Sequence, residues 1–354
     1  MKKCKIKFGL VGCGRIAQRY SELFRNNEIK NAKLIAVCDI IELRAKMIAK
    51  KFKIPYYVSM HKMMKNEKLD VVVILTPSGL HAKHMLKLSK YGKDVVVEKP
   101  IALKSNDAQK MIETAVKNKH KLFIVKQNRF NLPIIKLFEA IRKKRFGKIY
   151  LGSVCLRWSR NQKYYNQDKW RGTWKFDGGV LANQAIHFID ILIWFLGDIK
   201  SVFAKAARFS VNIEAEDTIA VILKFKSGAL GIIEATTATR PSDLEGSISI
   251  LGEKGSVEID GFALNKIKTW QFKYQLRSDQ NIKKYSVNPP NVYGFGHKMY
   301  LNHVVDCILK NEKSIIDPKD AKKTIDVLQA IYQSIETNKE VKVVPGKNKS
   351  RLGK

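Results

Sequence analysis

The chain has 354 residues, 45% hydrophobic and 28% charged, a composition that excludes a disordered or fibrous protein and leaves room for two domains with cores of their own. Its 66 lysines and arginines against 32 aspartates and glutamates give a net charge of +34, but 52 of the 66 are lysines spread through nearly every segment. Scattered lysine lacks the arginine forks and the basic block of a nucleic-acid groove, so dedicated nucleic-acid binding is not expected.

In chain order, an apolar run at 6–11 is followed by Gly12-Cys13-Gly14 and a helical pattern over 16–24. A second strand-like run at 34–38 ends at Asp39, with helical spacing through Leu43, Met47 and Ile48. A β-branched run at 71–75 leads into Thr76-Pro77-Ser78-Gly79 and a helix carrying Leu80, His84, Leu86 and Leu88. A strand at 95–97 is closed by Glu98-Lys99-Pro100, and a helix at 107–117 and a strand at 122–125 finish the series. Strands without polar alternation, separated by helices, predict a parallel sheet covered on both faces.

The first turn carries G-x-G-x-x-A. Gly12 permits the tight turn, Gly14 lets backbone approach a pyrophosphate at the helix N-terminus, and Ala17 allows close helix–strand packing. Asp39, ending the second strand, suits the ribose hydroxyls and repels a 2′-phosphate, which favours NAD over NADP. The N-terminal domain, 1–126, is thus expected to be a Rossmann dinucleotide-binding domain. Thr76-Pro77 and Glu98-Lys99-Pro100 both follow strands, and in open parallel sheets ligands bind beyond the strand carboxyl ends. That position lifts Lys99 above the other lysines as a catalytic candidate.

Beyond Gln127 the alternation stops. A helix at 133–143 leads into a strand at 149–158, an aromatic-rich loop to Trp174 and a helix over 180–195. Strand candidates at 201–208, 218–225, 229–235, 247–251, 256–259 and 268–272, separated by glycine turns, predict an α+β domain with a mostly antiparallel sheet over 127–345. Helices at 297–309 and 318–335 close it, followed by a basic tail, 346–354, expected to be frayed.

On the 180–195 helix, Asn183, Gln184, His187 and Asp190 recur at spacings of three and four, so they share one face among apolar neighbours. A polar stripe on a buried helix requires ligand, solvent or mutual hydrogen bonds, which makes it a site candidate. The loop from Arg157 to Trp174 mixes Arg, Tyr and Trp, a set that suits a flat, anionic ligand such as a nucleotide sugar. The five cysteines (4, 13, 38, 155 and 307) contain no CxxC pair and read as buried thiols in a reducing compartment; no metal site is expected. The lysines before the first apolar run are not expected to form a signal peptide, because the run is short and broken by glycine. The longest apolar stretch, 186–196, is too short for a bilayer. A cytoplasmic protein without a membrane partner is expected.

Together the segments GLVGCGRIA, TPSGLHAKH, EKP and DGGVLANQAIHFID resemble the glucose–fructose oxidoreductase/inositol dehydrogenase (Gfo/Idh/MocA) family over almost the whole chain. The resemblance implies substrate binding between a Rossmann domain and a C-terminal domain with an open-faced sheet. KQNRFN, WRGTW, NQAIH and NPPNVYGFGH look like one branch, the UDP-N-acetyl-2-amino-2-deoxyglucuronate dehydrogenases, which oxidise the sugar 3-hydroxyl in making surface polysaccharides. Asn183 stands where many family members carry Asp, as it does in this branch. The resemblance implies Lys99 and His187 as catalytic residues, either of which can be the base. It implies Gly12, Gly14, Arg15, Ile16, Asp39, Thr76, Pro77, His81, Glu98, Lys99 and Gln127 at the NAD cofactor. For the UDP-sugar substrate it implies Asn183, Gln184 and His187, with Arg157, Arg171, Thr173 and Tyr293 for phosphates or the uronate carboxylate. A 2-oxoacid hydride acceptor and a homo-oligomer, dimer or tetramer, are implied as well. Two other readings stay open: an NAD(P)-dependent dehydrogenase of another sugar or cyclitol, and a non-catalytic NAD- or sugar-binding regulator on the same fold.

Overall fold

The structure, a computed structural model, describes residues 5–261, 264–287 and 294–354. It divides into two compact units, residues 1–126 with 297–322 and residues 127–296 with 323–354. The division departs from a single boundary near 127: residues 297–322, expected in the second domain, cluster with the first.

The first unit begins with β1 (Ile6–Val11), α1 (Arg15–Arg25), β2 (Ala32–Cys38), α2 (Glu42–Phe52), β3 (Tyr56–Tyr57) and α3 (Met60–Asn66). It continues with β4 (Val71–Ile74), α4 (His81–Leu88), β5 (Asp94–Val97), α5 (Ser105–Lys117) and β6 (Leu122–Ile124). The strands pair in parallel in the order β3-β2-β1-β4-β5-β6, reversing direction of growth at β1 and β4. The side chains of β4 are wholly buried, as are Val95, Val96 and Val97 of β5, so apolar runs without alternation do mark strands covered on both faces. The carboxyl ends of β1, β4 and β5 therefore form one edge carrying Gly12, Thr76 and Lys99, the place where such sheets bind ligand.

The second unit starts with α6 (Leu132–Arg142), β7 (Ile149–Arg157) and a short α7 (Gln162–Asn166) inside what reads as loop. A π-turn, Leu181–Ala185, then leads into α8 (Ile186–Leu196). Next come β8 (Ile199–Ala207), β9 (Thr218–Phe225), β10 (Leu230–Thr236), β11 (Glu245–Gly252), β12 (Gly255–Asp260) and β13 (Lys266–Phe272). After α9 (Gly296–Leu309) and α10 (Pro318–Thr337), β14 (Val341–Lys342) completes an eight-stranded sheet ordered β13-β12-β11-β7-β10-β9-β8-β14. Its pairs are antiparallel except β7 with β10. Strict alternation along β9 buries Ile219, Val221, Leu223 and Phe225 and exposes the residues between. On β7, Gly152 leaves room for α8: a Cβ there would meet Leu192 at 2.7 Å. The opposite face of the sheet shows Ile222, Leu230 and Ile232 at 46–57% exposure. Residues 346–354 are not frayed. Leu352 is fully buried, Ser350 bonds Gln329 and the Gly353 N–H donates to the Trp174 carbonyl, because a leucine and a serine among the basic residues give this segment something to bury.

Candidate active site

In the first unit, Gly12 has φ +98°, and a Cβ there would lie 2.8 Å from the Leu75 carbonyl, so the turn requires glycine. The next N–H, of Cys13, donates to Asp39 Oδ2 at 2.7 Å, and Oδ1 accepts from the Ile41 N–H at 2.8 Å. The acid at the end of β2 is thereby tied to the loop it serves, with lone pairs left on both oxygens. Around Gly14 a Cβ would meet nothing within 4 Å, and α1 starts without a side-chain cap. Open space against uncapped N–H groups is what a pyrophosphate needs, so these residues fit NAD. Arg15 is exposed and Ile16 half-buried beside that space.

At the ends of β4 and β5, Thr76, Pro77 and Lys99 are half-buried. Glu98 is buried: Oε1 accepts from the Tyr20 hydroxyl at 2.9 Å and lies 3.3 Å from His297 Nε2, while Oε2 accepts from the Lys99 N–H at 3.0 Å. Burial alone would raise its pKa, but His297, Lys99 and Tyr20 more than reverse this and bring it to about 2. Both oxygens of Glu98, a residue expected at the cofactor, hold protein groups, so it anchors the strand end. His81, expected there too, is 1% exposed, with ring nitrogens 2.7 Å from the Pro100 carbonyl and 2.8 Å from the Thr76 carbonyl. It braces the two strand ends together. The Thr76 hydroxyl lies 3.0 Å from Nδ1 of His84, whose pKa burial pushes down to about 4.

In the second unit the polar stripe sits on the π-turn and the start of α8, not on one regular helix. Asn183 Nδ2 donates to Asp177 Oδ1 at 2.7 Å, and His187 Nε2 lies 3.1 Å from Gln127 Nε2. Gln127, expected at the cofactor, thus orients His187. Asn183 and His187 are half-buried; Gln184 is 6% exposed, and neither atom of its amide has a partner among the described residues. An amide that is buried and unbonded awaits a ligand or water. Asp190 leaves the stripe: its oxygens accept from Arg129 Nε and Nη2 at 2.7 and 2.8 Å in a buried ion pair.

Arg171 and Thr173 line a cavity of about 430 Å³ together with Lys169, Arg208 and Asn212. The Arg171 Nη1 donates to the Tyr164 hydroxyl at 3.0 Å, and its guanidinium lies over the Tyr164 and Trp170 rings. Two carboxylates share the wall, but Asp168 faces Arg171 at 3.6 Å and Glu214 accepts from the Trp174 N–H. Arg157 is not brought to this cavity. It lies on the open face of the sheet, held by Glu234 at 2.6 Å and Glu245 at 3.1 Å across the register of β10 and β11. Odd-numbered residues of β7 point away from α8, and Arg157 follows that alternation. Tyr293 lies outside the described residues. The anchors Tyr20, His297, Asp177, Glu216 and Tyr332 went unread; only Asp177, six residues before Asn183, had a local signal.

Residues 6–126 match the oxidoreductase family's NAD-binding Rossmann fold, and residues 139–343 match that family's C-terminal alpha/beta domain. Among solved structures, the WlbA dehydrogenase of Chromobacterium violaceum, in complex with NADH and UDP-GlcNAcA, is 40% identical with a TM-score of 0.91, covering 97% of each chain. The WlbA dehydrogenase of Bordetella pertussis, with the same two ligands, is 36% identical with a TM-score of 0.92, covering 97% of this chain and 99% of that one. The myo-inositol 2-dehydrogenase of Thermotoga maritima is 28% identical over 264 residues, 72% of this chain and 75% of its own length. Both halves matched, and with NAD-site residues that fit the cofactor, the chain belongs to the Gfo/Idh/MocA oxidoreductase family.

Proposed function

We propose that the protein is an NAD-dependent dehydrogenase that oxidises the 3-hydroxyl of UDP-N-acetylglucosaminuronate to the 3-keto sugar. The observation that carries this reading is the likeness, over nearly the whole chain, to two dehydrogenases holding NADH and UDP-GlcNAcA. Residues 1–126 with 297–322 serve as the cofactor domain, and 127–296 with 323–354 as the substrate and assembly domain. NAD, when bound, supplies the hydride acceptor. Lys99, as the free amine, takes the proton from O3 while the C3–H bond breaks and the C3–O double bond forms. His187, oriented by Gln127, donates to or accepts from O3, and Asn183 and Gln184 bond the sugar. The cavity at Arg171 and Arg208 takes the diphosphate end, where arginine forks suit phosphate oxygens.

The same reading includes a 2-oxoacid that re-oxidises the reduced cofactor, a cytoplasmic location and a homo-oligomer built on the open sheet face. No described helix is long and apolar enough to cross a membrane.

The test is incubation with NAD⁺ and UDP-N-acetylglucosaminuronate, with and without a 2-oxoacid, following NADH absorbance and product mass. A product lighter by two hydrogens is expected, in higher yield with the 2-oxoacid. No oxidised UDP-sugar, with turnover of free sugars or cyclitols instead, rejects the substrate assignment.

A further inference from the structure

The start of the π-turn is held by a residue far away in sequence. Val180 and Leu181 present N–H groups that a helix start leaves without intrahelical partners. Glu216 takes both: its backbone carbonyl accepts from Val180 at 3.0 Å and its Oε1 from Leu181 at 3.0 Å. The Tyr332 hydroxyl donates to the same Oε1 at 2.9 Å. Gly179 packs so tightly that a Cβ would fall 2.2 Å from the Glu216 carbonyl oxygen and 2.3 Å from its carboxyl. The other oxygen, Oε2, is buried with no hydrogen-bond partner among the described residues. Asp177 holds the turn from the other side, with Oδ1 on the Asn183 side chain and Oδ2 on the Gly172 N–H at 2.9 Å.

We propose that Glu216 is a positioning residue for the reaction: in its uncharged form it caps the π-turn that carries Asn183 and Gln184 and leads into His187, and its ionisation loosens that turn. The proposal rests on the reading of those three residues as substrate groups. Two carboxyl groups, Asp177 and Glu216, share one frame. Asp177 has a donor on each oxygen, whereas Glu216 has one oxygen with none, so Glu216 is the group that keeps its proton. The titratable groups facing it are Asp177 from the preceding loop, Tyr332 from α10 and Tyr165 from α7. Burial first, and then the charge of Asp177, push its pKa up to about 7, against the opposing Leu181 N–H and Tyr332 hydroxyl. Ionisation puts a charge on a buried oxygen that no described group bonds, and the turn must open to hydrate it.

The test compares the whole protein, with NADH bound, as wild type and as Glu216→Gln, which keeps the shape and cannot ionise. Deuterium exchange of residues 178–188 is measured in both at about pH 6 and about pH 8.5, and KM and kcat for UDP-N-acetylglucosaminuronate are measured separately with NAD⁺ in place of NADH. Similar exchange at the lower pH is expected, then exchange about tenfold faster and KM about tenfold higher in wild type than in the variant at the higher pH, with kcat little changed. Equal exchange at the higher pH overturns the proposal, as does a Gln variant already loosened at the lower one. Glu216→Ala removes the cap and is expected to loosen the turn at both pH values. If neither wild type nor Gln variant turns over the sugar while exchange behaves as expected, the substrate assignment fails and the capping role stands.

Discussion

Lys99 is one of 52 lysines, and its neighbours distinguish it. Glu98 fixes the backbone before it and His81 the carbonyl of the proline after it, so the side chain leaves a strand end with little freedom of direction. Lys99→Met is expected to lower kcat by about 10²–10⁴ in steady-state kinetics, the usual worth of a general base. Glu98 makes a different prediction. Its carboxyl sits at about 2 in the fold against an ordinary 4.5, so folding favours the charged form. That contribution, about 3 kcal/mol, is fully present above pH ~4.5 and lost as pH falls toward ~2. Urea titrations of wild type and Glu98→Gln should differ by about that amount at neutral pH and converge in acid. Gly12, Gly14 and Asp39 were legible in the sequence because their demands are local: a positive φ, an open approach and an acid at a strand end. The fates of Glu98 and His81 were not, because their side-chain partners are chosen by folding, and His297 lies 199 positions from Glu98.

At the scale of elements, the parallel sheet and the alternating β9 could be read directly, since burial on two faces or one imposes the pattern. The helix after Gly179 could not. Three-and-four spacing presumes a regular helix, and the π-turn shifts residues 181–185 against those that follow. Asn183 and His187 remain half-buried, while Asp190 rotates into the core and pairs with Arg129. Replacing Arg129 with Met would strand a buried carboxylate; a loss of about 3–5 kcal/mol is expected in denaturant titration. Gly179→Ala drives a methyl into Glu216. An expected destabilisation of about 2–3 kcal/mol should come with a larger change in sugar KM than in kcat, read by thermal melts and steady-state kinetics. Arg157 shows the opposite limit: an arginine in an aromatic-rich stretch looked like a phosphate ligand, but strand alternation sent it to the other face, between two glutamates.

For the whole molecule, the excess of lysine gives a long-range positive field that favours the approach of anionic ligands, such as the dinucleotide and the nucleotide sugar proposed above. Raising ionic strength from about 0.05 to 0.5 M is expected to lower kcat/KM several-fold, with kcat nearly constant, because screening weakens capture and leaves the proton transfer alone. On the open sheet face, Ile222 and Ile232 sit directly opposite each other on β9 and β10. Placing glutamates at both should yield monomers in light scattering if copies of the chain pair through this face. The return of residues 297–322 to the first unit has an engineering consequence. Tyr300, Leu301 and Val304 of α9 are fully buried, and His297 satisfies Glu98. A fragment cut after residue 126 would lack all of them and expose the core they cover, so the dinucleotide fold is no portable cassette. In chain terms residues 127–296 are an insertion into the first unit. The two ends of the insertion meet where Gly296 packs against the Gln127 backbone, so close that a Cβ would fall 2.3 Å from the carbonyl oxygen. A short linker from 126 to 297 should therefore be enough to carry the cofactor domain away whole.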